Sequence, residues 1–343
     1  TNLTFDSAKA AVEKAWTDKL AKYEFEGTDV HQMRMLYTGL YHMMIQPNLH
    51  QDVDGRYWAL DKVNQANGFT NYSTFSLWDT FRAVHPLFTL TEHKLTADVV
   101  NSLVSRYENG GQIPLWELCG FDNTCMISYP AVSVIADAIL KDIPGINAEK
   151  ALEAMISVSN YDYVSSSDGL SGVDLYNKLG YVPTPIHASV SKTAENSYYD
   201  WCIAQVAHKL GKTDIEKTYL DRSLRFLNHY DEKTGLLMPK DGKGNFVPVD
   251  LTDWESLRPH YISGNIWAYS YYPHAVEEVV KRMGGNEAFV ASMDKTLQTP
   301  LNMKGEQHVD ISGFFGQYGH GDEPGHQFLY LYGKTGATWK IAD

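Results

Sequence analysis

A glycine-rich stretch near the end of the sequence, GQYGHGDEPGHQFLYLY at residues 316–332, concentrates side chains that can carry protons. Pro324 is suited to the first turn of a helix, and four such side chains crowd the predicted helix start. They are His320, Asp322, Glu323 and His326. Capping the helix needs only one polar group, so the surplus favours a site with acid–base chemistry at Glu323 or its neighbours. Zinc is the alternative, but the two histidines do not have the HExxH spacing.

A second segment, STFSLWDTFRAVHPL at residues 73–87, holds Trp78, Asp79 and Arg82. Ser76 followed three residues later by Asp79 has the pattern of a capping box at a helix start, with Trp78 in the core. In the functional interpretation Trp78 and Asp79 face a pocket, and Arg82, one turn further along, fixes the carboxylate. The residue types alone leave both interpretations open.

Two further segments place polar groups on predicted helices, and the first of them otherwise has the pattern of a buried helix. YISGNIWAYSYYPHA, residues 261–275, surrounds the small hydroxyl of Ser263 with aromatic rings, an asparagine and a histidine. These surroundings are suited to holding a reactive group. SVSKTAENSYYDW, residues 189–201, puts Glu195 and Asp200 on a predicted helix. We interpret these two carboxyl groups by default as solvated or helix-end charges.

Helical periodicity dominates the chain, and strand alternation is rare. Amphipathic stretches predict helices at residues 6–24, 28–46, 76–92, 94–108, 130–142, 148–159, 192–210, 213–230, 265–283, 286–298 and 324–334. The one predicted hairpin is GLLMPKDGKGNFVPV, residues 235–249. Long loops lie at residues 47–74, 110–129, 160–190, 239–264 and 300–322. Because no linker divides the chain, we expect one all-α domain, residues 1–343, with helical hairpins in a ring and loops framing a pocket. The alternative, a stacked α-solenoid, lacks a fixed sequence period.

The composition disfavours some partners and favours others. With 42 acidic and 29 basic residues the formal charge is -13, so nucleic acid and anionic membrane surfaces are repelled. No apolar run reaches about 18 residues, the length of a membrane span. The three cysteines cannot all pair, and Cys202 is interpreted as a buried small hydrophobic residue. The 8 Trp, 22 Tyr and 13 Phe suit a carbohydrate ligand, whose ring faces are apolar and whose rim is polar.

Segments spread over nearly the whole chain, in order, resemble glycoside hydrolase family 92, the calcium-dependent exo-α-mannosidases. They are PNLHQDVDGRY, FSLWDTFRAVHPL, NGGQIPLW, TCMISYPAVSVIADA, LGYVP, SKTAENSYYDWCIAQVA, SGNIWAYSYYPHA, MGGNEAFV and GHGDEPGHQFLYLY. The resemblance implies an (α/α)6 toroid preceded by a β-sandwich domain that is not in this chain. It also implies an inverting, calcium-dependent mechanism on mannose-containing glycans, N-glycans among them, and an exported or periplasmic protein. It does not assign the calcium ligands.

The resemblance assigns substrate contacts residue by residue. Asp79 matches the aspartate of the family's WDTFR segment, which is expected to bind the terminal mannose, and Trp78 lies beside it. Glu323 matches the glutamate of the GNEPSHH-type segment and lies with Asp322 where the leaving sugar is expected. The other expected substrate contacts in these motifs are Trp267, His320 and His326.

The residues expected to transfer protons depart from the family's pattern. The general acid of the family is the glutamate of an EGNAWQY segment, and Ser263 replaces it in SGNIWAY. Ala268 replaces the glutamine of that segment, and Ala275 replaces an aspartate that follows the Pro-His pair. The base aspartates belong to a GNDDxG motif beyond the matched segments, and the sequence ends at Asp343 before such a motif. We therefore expect this chain to lack both proton-transfer carboxyl groups and not to hydrolyse glycosides by itself.

Three hypotheses about function follow. The first is an α-mannosidase in which Glu323 or water donates the proton in place of Ser263. The second is an enzyme for an activated mannosyl linkage, such as a phosphodiester, whose leaving group needs no acid. The third is a non-catalytic relative that binds mannose through Asp79 and the aromatic residues. The retained polar loop motifs argue against a purely structural helical scaffold.

Overall fold

Helices form most of the regular structure in the computed structural model, which describes residues 4–161, 171–263, 265–270, 272–309 and 311–342. About 52% of the residues are helical, which confirms a helix-dominated fold. Residues 162–170 of the predicted loop 160–190, Gly264 of the SGNIWAY segment and the Ala268 side chain lie outside the described residues. In the part that is described, no helix combines the length and apolarity that crossing a bilayer requires.

The α-helices follow one another along the chain with short connections or longer loops. They are α1 (Phe5–Leu20), α2 (Val30–Met43), α3 (Leu77–Thr80), α4 (Val84–Thr91), α5 (His93–Gly110), α6 (Ala131–Leu140), α7 (Ala148–Val158), α8 (Val173–Leu179), α9 (Ser189–Lys209), α10 (Thr213–Ser223), α11 (Trp254–Leu257), α12 (Ile266–Tyr269), α13 (Val276–Met283) and α14 (Asn286–Gln298). Short 3-10 helices span Arg225–His229, Pro273–Ala275, Glu323–Gly325, Leu329–Lys334 and Thr338–Ile341.

The strands of the described residues are short and pair only as two-stranded antiparallel ribbons. They are β1 (Asn48–Leu49) with β4 (Tyr72–Ser73), β2 (Arg56–Ala59) with β3 (Lys62–Gln65), β5 (Glu117–Leu118) with β6 (Phe121–Asp122), β7 (Tyr230–Asp231) with β8 (Leu236–Leu237), and β9 (Phe314–Phe315) with β10 (Tyr318–Gly319). Such ribbons stiffen loops and do not form a sheet layer, which is consistent with the helical fold class.

The predicted helix at 76–92 is broken into α3 and α4, and Pro86 explains the break. Proline has no N–H to donate to the carbonyl of residue 82, and its ring clashes with that carbonyl in a continuous helix. The chain therefore leaves the helical path at Ala83, where φ is -145°, and restarts with Pro86 in the first turn of α4. The break lets α3 point its side chains independently of α4.

The predicted hairpin at 235–249 is largely wrong. Leu236 and Leu237 pair with β7, which precedes them in the chain. Around the glycine-rich turn only one bridge forms, between Lys240 and Phe246. Pro239 and Pro248 lack the N–H groups that a continuous ladder requires. The longest ribbon, β2 with β3, instead lies inside the predicted loop 47–74.

Helix α9 joins the two main hydrophobic clusters. Cys202 and Ile203 on its second half belong to the cluster formed with α5, α6 and α7, whereas Val190 and Ala194 on its first half belong to the cluster formed with β8, α12, α13 and α14. Cys202 is 3% exposed, which confirms that it is a buried hydrophobic residue. The first half of α9 is rich in polar residues yet lies inside the molecule, so each of these polar groups needs a partner.

The interpretation of Glu195 and Asp200 as solvated charges is wrong, because both are completely buried on α9. Asp200 accepts hydrogen bonds from Arg222 Nε at 2.9 Å, from the Tyr176 hydroxyl at 2.7 Å and from the Tyr129 hydroxyl at 3.0 Å. This cluster ties α9 to α8 and α10 and has the character of a buried structural ion pair. Glu195 has different neighbours, described below.

Candidate active site

The segment that carries Ser263 is fastened to the beginning of α9. The Ala188 N–H donates to the Pro259 carbonyl at 2.8 Å, and the Ile262 N–H donates to the Ser191 hydroxyl at 3.0 Å. Ala188 has a φ of 54°, in the left-handed region that non-glycine residues seldom adopt. The first turn of α9 therefore fixes the position of Ser263.

Glu195, one and a half turns into α9, collects three hydrogen bonds from separate parts of the chain. The Trp78 indole N–H of α3 lies 2.9 Å and 3.0 Å from its two carboxylate oxygens. The Tyr269 hydroxyl of α12 donates to Oε1 at 3.1 Å, and the Tyr199 hydroxyl donates to Oε2 at 3.3 Å. One buried carboxyl group thus joins α3, next to Asp79, to the segment that follows Ser263.

Arg82 completes the surroundings of Glu195. Its Nη2 lies 3.6 Å from Glu195 Oε1, its Nε donates to the Trp78 carbonyl at 3.0 Å, and its guanidinium lies 4.6 Å from the centre of the Trp78 ring. Burial raises the pKa of Glu195 to about 7, although the Arg82 charge and the hydrogen bonds from Trp78 and Tyr269 oppose the rise. Burial is the largest influence on Arg82 and acts to lower its pKa, but Glu195 and the neighbouring tyrosines together raise the pKa above its usual value, so Arg82 stays protonated.

Asp79 is half-buried at the start of α3. Ser76 is the N-cap, as the capping-box pattern predicts, but its hydroxyl donates to the Asp79 carboxylate and makes no capping bond to the backbone. The indole N–H of Trp116 donates to the same Ser76 oxygen at 2.7 Å. Asp79 is therefore oriented by Ser76 and Trp116, whereas the predicted partner, Arg82, lies against Glu195. A carboxylate held in this way can accept hydrogen bonds from sugar hydroxyls.

Asp322 and Ser263 lie side by side in the interior. Asp322 is 1% exposed, and neither its Oδ2 nor Ser263 Oγ has a hydrogen-bond partner of good geometry among the described residues. Burial raises the pKa of Asp322 to about 6, with the Glu323 charge acting in the same direction. The neighbouring Ser263 hydroxyl, the Arg82 charge and the Asn265 amide act to lower it. Asp322 therefore exchanges its proton close to neutral pH.

Glu323 begins a 3-10 helix of three residues that contains Pro324, and its side chain is half-buried. The continuous helix predicted at 324–334 is wrong, because only this turn and a second 3-10 helix, Leu329–Lys334, form there. Next to it, His320 Nδ1 lies 3.0 Å from the Tyr318 hydroxyl, and His326 Nε2 lies 2.9 Å from the His320 carbonyl. The two imidazole rings are 5.4 Å apart. The predicted cluster of protonatable groups in this segment is thus present, with Asp322 inside and His320 at the surface.

A cavity of about 690 Å³ lies beside this cluster, between α4, α6 and α9. Arg82, His320 and His326 are among its lining residues, and most of the remaining wall is apolar. The rings of Tyr198 and Trp201 form part of that wall and stack with 6.4 Å between their centres. The structure therefore places the two predicted histidines and Arg82 at the same cavity, whereas none of the other predicted site residues lines it.

Trp267 is half-buried on α12. Its ring packs against the second hydrophobic cluster and borders a small void with Tyr318 and Phe328. Trp78 is 4% exposed and packs with Ile127, Ala188 and the partly buried Ile262, with its N–H on Glu195. Any contact of these two tryptophans with a sugar stays a prediction.

The calcium ion that the resemblance implies would need a group of oxygen ligands. Ca²⁺ takes about six to eight oxygen ligands, carboxylates prominent among them. Within the described residues no group of three or more His, Cys, Asp or Glu side chains is close enough to hold a metal ion. The described side chains do not by themselves fit a calcium site, so calcium stays a prediction from the family resemblance.

Sequence reasoning missed Glu195, although the chain around it carries a signal. Small residues occur on several sides of α9, at Ser189, Ser191, Ala194 and Ser197. Small side chains let neighbouring segments approach a helix closely on all sides, which indicates a central helix and makes a charge on it a buried charge. The hydrophobic pattern alone does not reveal this, because the buried face of α9 is largely polar.

Known proteins with the same sequence pattern and fold are glycosidases. A family model described as the glycosyl hydrolase family 92 catalytic domain matches residues 1–343. A family GH92 alpha-mannosidase from Bacteroides thetaiotaomicron is 35% identical to this chain, with a TM-score of 0.89. The match covers 99% of this chain and 44% of the mannosidase chain. The structure of that mannosidase in complex with mannoimidazole gives 34% identity and a TM-score of 0.89 over 99% of this chain and 45% of its own. An inverting family GH92 mannosidase from the same organism is 31% identical to this chain, with a TM-score of 0.82. The match covers 97% of this chain and 46% of that mannosidase chain.

A curated relative is more distant. An uncharacterized secreted glycosidase from Arthroderma benhamiae is 24% identical over 354 residues, which cover 92% of this chain and 41% of that protein. The chain spans less than half the length of each of these relatives. Because the family model matches every residue of the sequence, the chain belongs to glycosyl hydrolase family 92.

Proposed function

We propose that this chain is part of an exo-acting, inverting α-mannosidase-type glycoside hydrolase that depends on calcium and acts on mannose-containing glycans. In this proposal residues 1–343 form a single (α/α)6 toroid, and the protein is exported or periplasmic. The observation that carries the proposal is the meeting, around Glu195, of the segment that contains Asp79 and the segment that contains Ser263.

The chemistry of mannoside cleavage sets different tasks for these residues. Asp79, held by Ser76, is suited to accept hydrogen bonds from the terminal mannose. An inverting glycosidase also needs a carboxylic acid that protonates the departing oxygen and a carboxylate that activates water. Serine cannot act as the acid near neutral pH, so the proton has to come from another group; Asp322 lies beside Ser263, and Glu323 follows Asp322 in the chain. The resemblance assigns the water-activating carboxylate to no residue of this chain.

A second candidate function follows from Ser263 itself. Loss of a general acid typically slows departure of a sugar alkoxide by about 10² to 10⁴, but has little effect on a phosphate leaving group, which needs no protonation. A hydroxyl in the acid position therefore favours a mannosyl phosphodiester substrate. The relatives support mannose recognition in both candidates, since one is an inverting mannosidase and another was solved with mannoimidazole.

The test is mannose release by the longest natural polypeptide that contains this sequence, from an α-linked mannobiose and from a mannosyl phosphodiester in parallel. Each reaction is run with calcium and with a chelator. Cleavage of the mannobiose, lost on chelation and regained with calcium, supports the first proposal. Cleavage of the phosphodiester alone supports the second. If mannose binds but neither compound is cleaved, both proposals are contradicted, and the chain belongs to a mannose-binding relative.

The location outside the cytoplasm has its own test. Cell fractionation of the native organism, with a cytoplasmic marker enzyme as reference, should place the protein in the exported or periplasmic fraction. Recovery together with the cytoplasmic marker would contradict this part of the proposal.

A further inference from the structure

Compared with the family pattern, the carboxyl group is missing at position 263 and present at position 322. The resemblance sets a glutamate at the position of Ser263, and its GNEPSHH-type segment sets an asparagine at the position of Asp322. This chain has lost a carboxyl group at the first position and has one at the second. The fold brings the two side chains next to each other.

The two side chains are also incompletely satisfied. Asp322 Oδ2 and Ser263 Oγ are both buried, and neither has a partner of good geometry among the described residues. Buried polar atoms without partners are rare in folded proteins. A hydroxyl beside an acid group, both with unused hydrogen-bonding capacity, can align when a third group arrives, because catalytic hydrogen bonds often tighten only in the complex with substrate.

We propose that Asp322 supplies the proton for the departing sugar and passes it through the Ser263 hydroxyl. The proposal rests on the α-mannosidase function proposed above and names the proton source of that site. Serine is suited to the middle position because its oxygen accepts a proton while its O–H donates one.

The step balances as a hydrolysis. As the bond between the mannose C1 and the glycosidic oxygen breaks, its electron pair goes to that oxygen, which takes the Ser263 hydroxyl proton. Ser263 Oγ takes the carboxyl proton of Asp322, which becomes a carboxylate. Water attacks C1 from the opposite face and gives its proton to a carboxylate base, which returns it to solvent. Asp322 regains a proton from solvent, so one water is consumed.

The surroundings of Asp322 suit a group that has to hold a proton and release it. Charged and polar groups approach it from α12 and the residues just before it, from its own segment, and from the connection between α3 and α4. They are Ser263, Asn265, Tyr269, Tyr318, Glu323 and Arg82. Burial and the Glu323 charge favour the protonated form, while Arg82 favours the carboxylate left after transfer. The resulting pKa of about 6 keeps part of the protein in the proton-donating form near neutral pH.

The leaving group provides the first test, with no variant required. The full polypeptide is assayed on α-linked mannobiose and on 2,4-dinitrophenyl α-mannoside, whose leaving group needs no acid. We expect kcat/KM for mannobiose to fall as the pH rises through about 6, and this fall to be absent for the dinitrophenyl compound. If both substrates show the same falling limb, or neither does, the proposal is overturned.

Variants give the second test. Asp322→Asn and Ser263→Ala should each lower kcat/KM for mannobiose by about 10² to 10⁴. We expect this loss to exceed the loss on the dinitrophenyl compound by at least tenfold. A misfolded variant would lose activity on both compounds equally. Asp61→Asn, at an exposed turn between β2 and β3, is the control for removal of one carboxylate.

A double variant asks whether the two positions substitute for each other. Ser263→Glu combined with Asp322→Asn restores the family's pairing and should cleave mannobiose faster than Asp322→Asn alone. Unimpaired mannobiose cleavage by Asp322→Asn overturns the proposal. Loss in Asp322→Asn without loss in Ser263→Ala overturns the passage through serine.

The proposed function and the proton path can fail separately. If the wild-type protein cleaves neither compound, the α-mannosidase function itself has failed and the proton path falls with it. If it cleaves the dinitrophenyl compound but not mannobiose, the mannose site is retained and the proton path is overturned.

Discussion

Glu195 should make the stability of this protein depend on pH in an unusual direction. Burial raises its pKa from 4.5 to about 7 in the folded state, so the folded protein binds this proton more tightly than the unfolded chain does. The carboxyl group therefore stabilises the folded state at low pH, and this stabilisation is lost as the pH rises from 4.5 toward 7. Most structural carboxylates act in the opposite sense, because their pKa values are lowered on folding.

The size of the effect follows from the two pKa values. Each pKa unit corresponds to about 1.4 kcal/mol, so the whole interval between 4.5 and 7 amounts to about 3.4 kcal/mol. About 2.5 kcal/mol of this falls between about pH 5 and pH 8, because the unfolded carboxyl is already largely ionised at the lower pH. The value is large enough to measure against a typical total stability of about 5 to 15 kcal/mol.

Glu195→Gln isolates this contribution, since glutamine keeps the shape and does not titrate. The free energy of unfolding is measured in urea at pH 5 and at pH 8 for both proteins. We expect the wild type to become less stable relative to the variant by about 2.5 kcal/mol at the higher pH. The unpaired Arg82 charge in the variant is present at both pH values and cancels from this difference.

Glu24→Gln, at an exposed glutamate, is the control and should show a change below about 0.5 kcal/mol. If the difference between wild type and Glu195→Gln is the same at both pH values, Glu195 titrates normally, and its place as the buried link of the site is refuted.

Three further predictions concern other parts of the molecule. Gly316→Ala should lower the thermal midpoint well below that of the control Gly211→Ala. Both glycines have left-handed φ, at +61° and +69°, but only at Gly316 would a Cβ clash with a backbone oxygen, that of Leu297. Equal losses in the two variants would contradict this. Arg106→Met leaves the buried carboxylate of Glu117 unpaired and should cost about 3 to 5 kcal/mol in urea unfolding, whereas a loss below about 1 kcal/mol would contradict the pairing. Burial raises the pKa of Cys202 to about 12, so its thiol should not react in the native protein. A disulfide reagent should therefore detect two reactive thiols in the native protein and a third only after denaturation. Three rapidly reacting thiols in the native protein would refute the burial of Cys202.

Most helix positions were predictable from the sequence because their burial is one-sided. Helix α14 has the predicted bounds of 286–298, and α7 at Ala148–Val158 ends one residue before its predicted end. In α7 the buried residues recur at helical spacing, among them Ala151, Leu152 and Met155. Periodicity of this kind is a local property, so it can be read without knowledge of the neighbours.

The candidate site was only partly predictable, for a physical reason. Motifs identify Asp79, Ser263 and Asp322, but the sequence favours a solvated charge at Glu195, which in the structure is buried and links the segments of Asp79 and Ser263. Whether a charge on a helix is exposed depends on what packs around that helix, and those partners come from distant parts of the chain, such as Trp78. Sequence periodicity reports hydrophobic faces and carries no direct information about buried hydrogen-bond partners.

In the proposed function, the segments that contain Asp79 and Ser263 meet around α9 and form a mannose site. Ligand binding tests this most directly. The measurement is calorimetric titration of mannoimidazole, the ligand solved with a related mannosidase, into the wild-type polypeptide and into Asp79→Asn. Loss of one charged hydrogen bond should weaken binding by at least about tenfold. We predict saturable binding by the wild type and this weakening in the variant. Absence of binding, or equal affinity in both proteins, would contradict the proposed site.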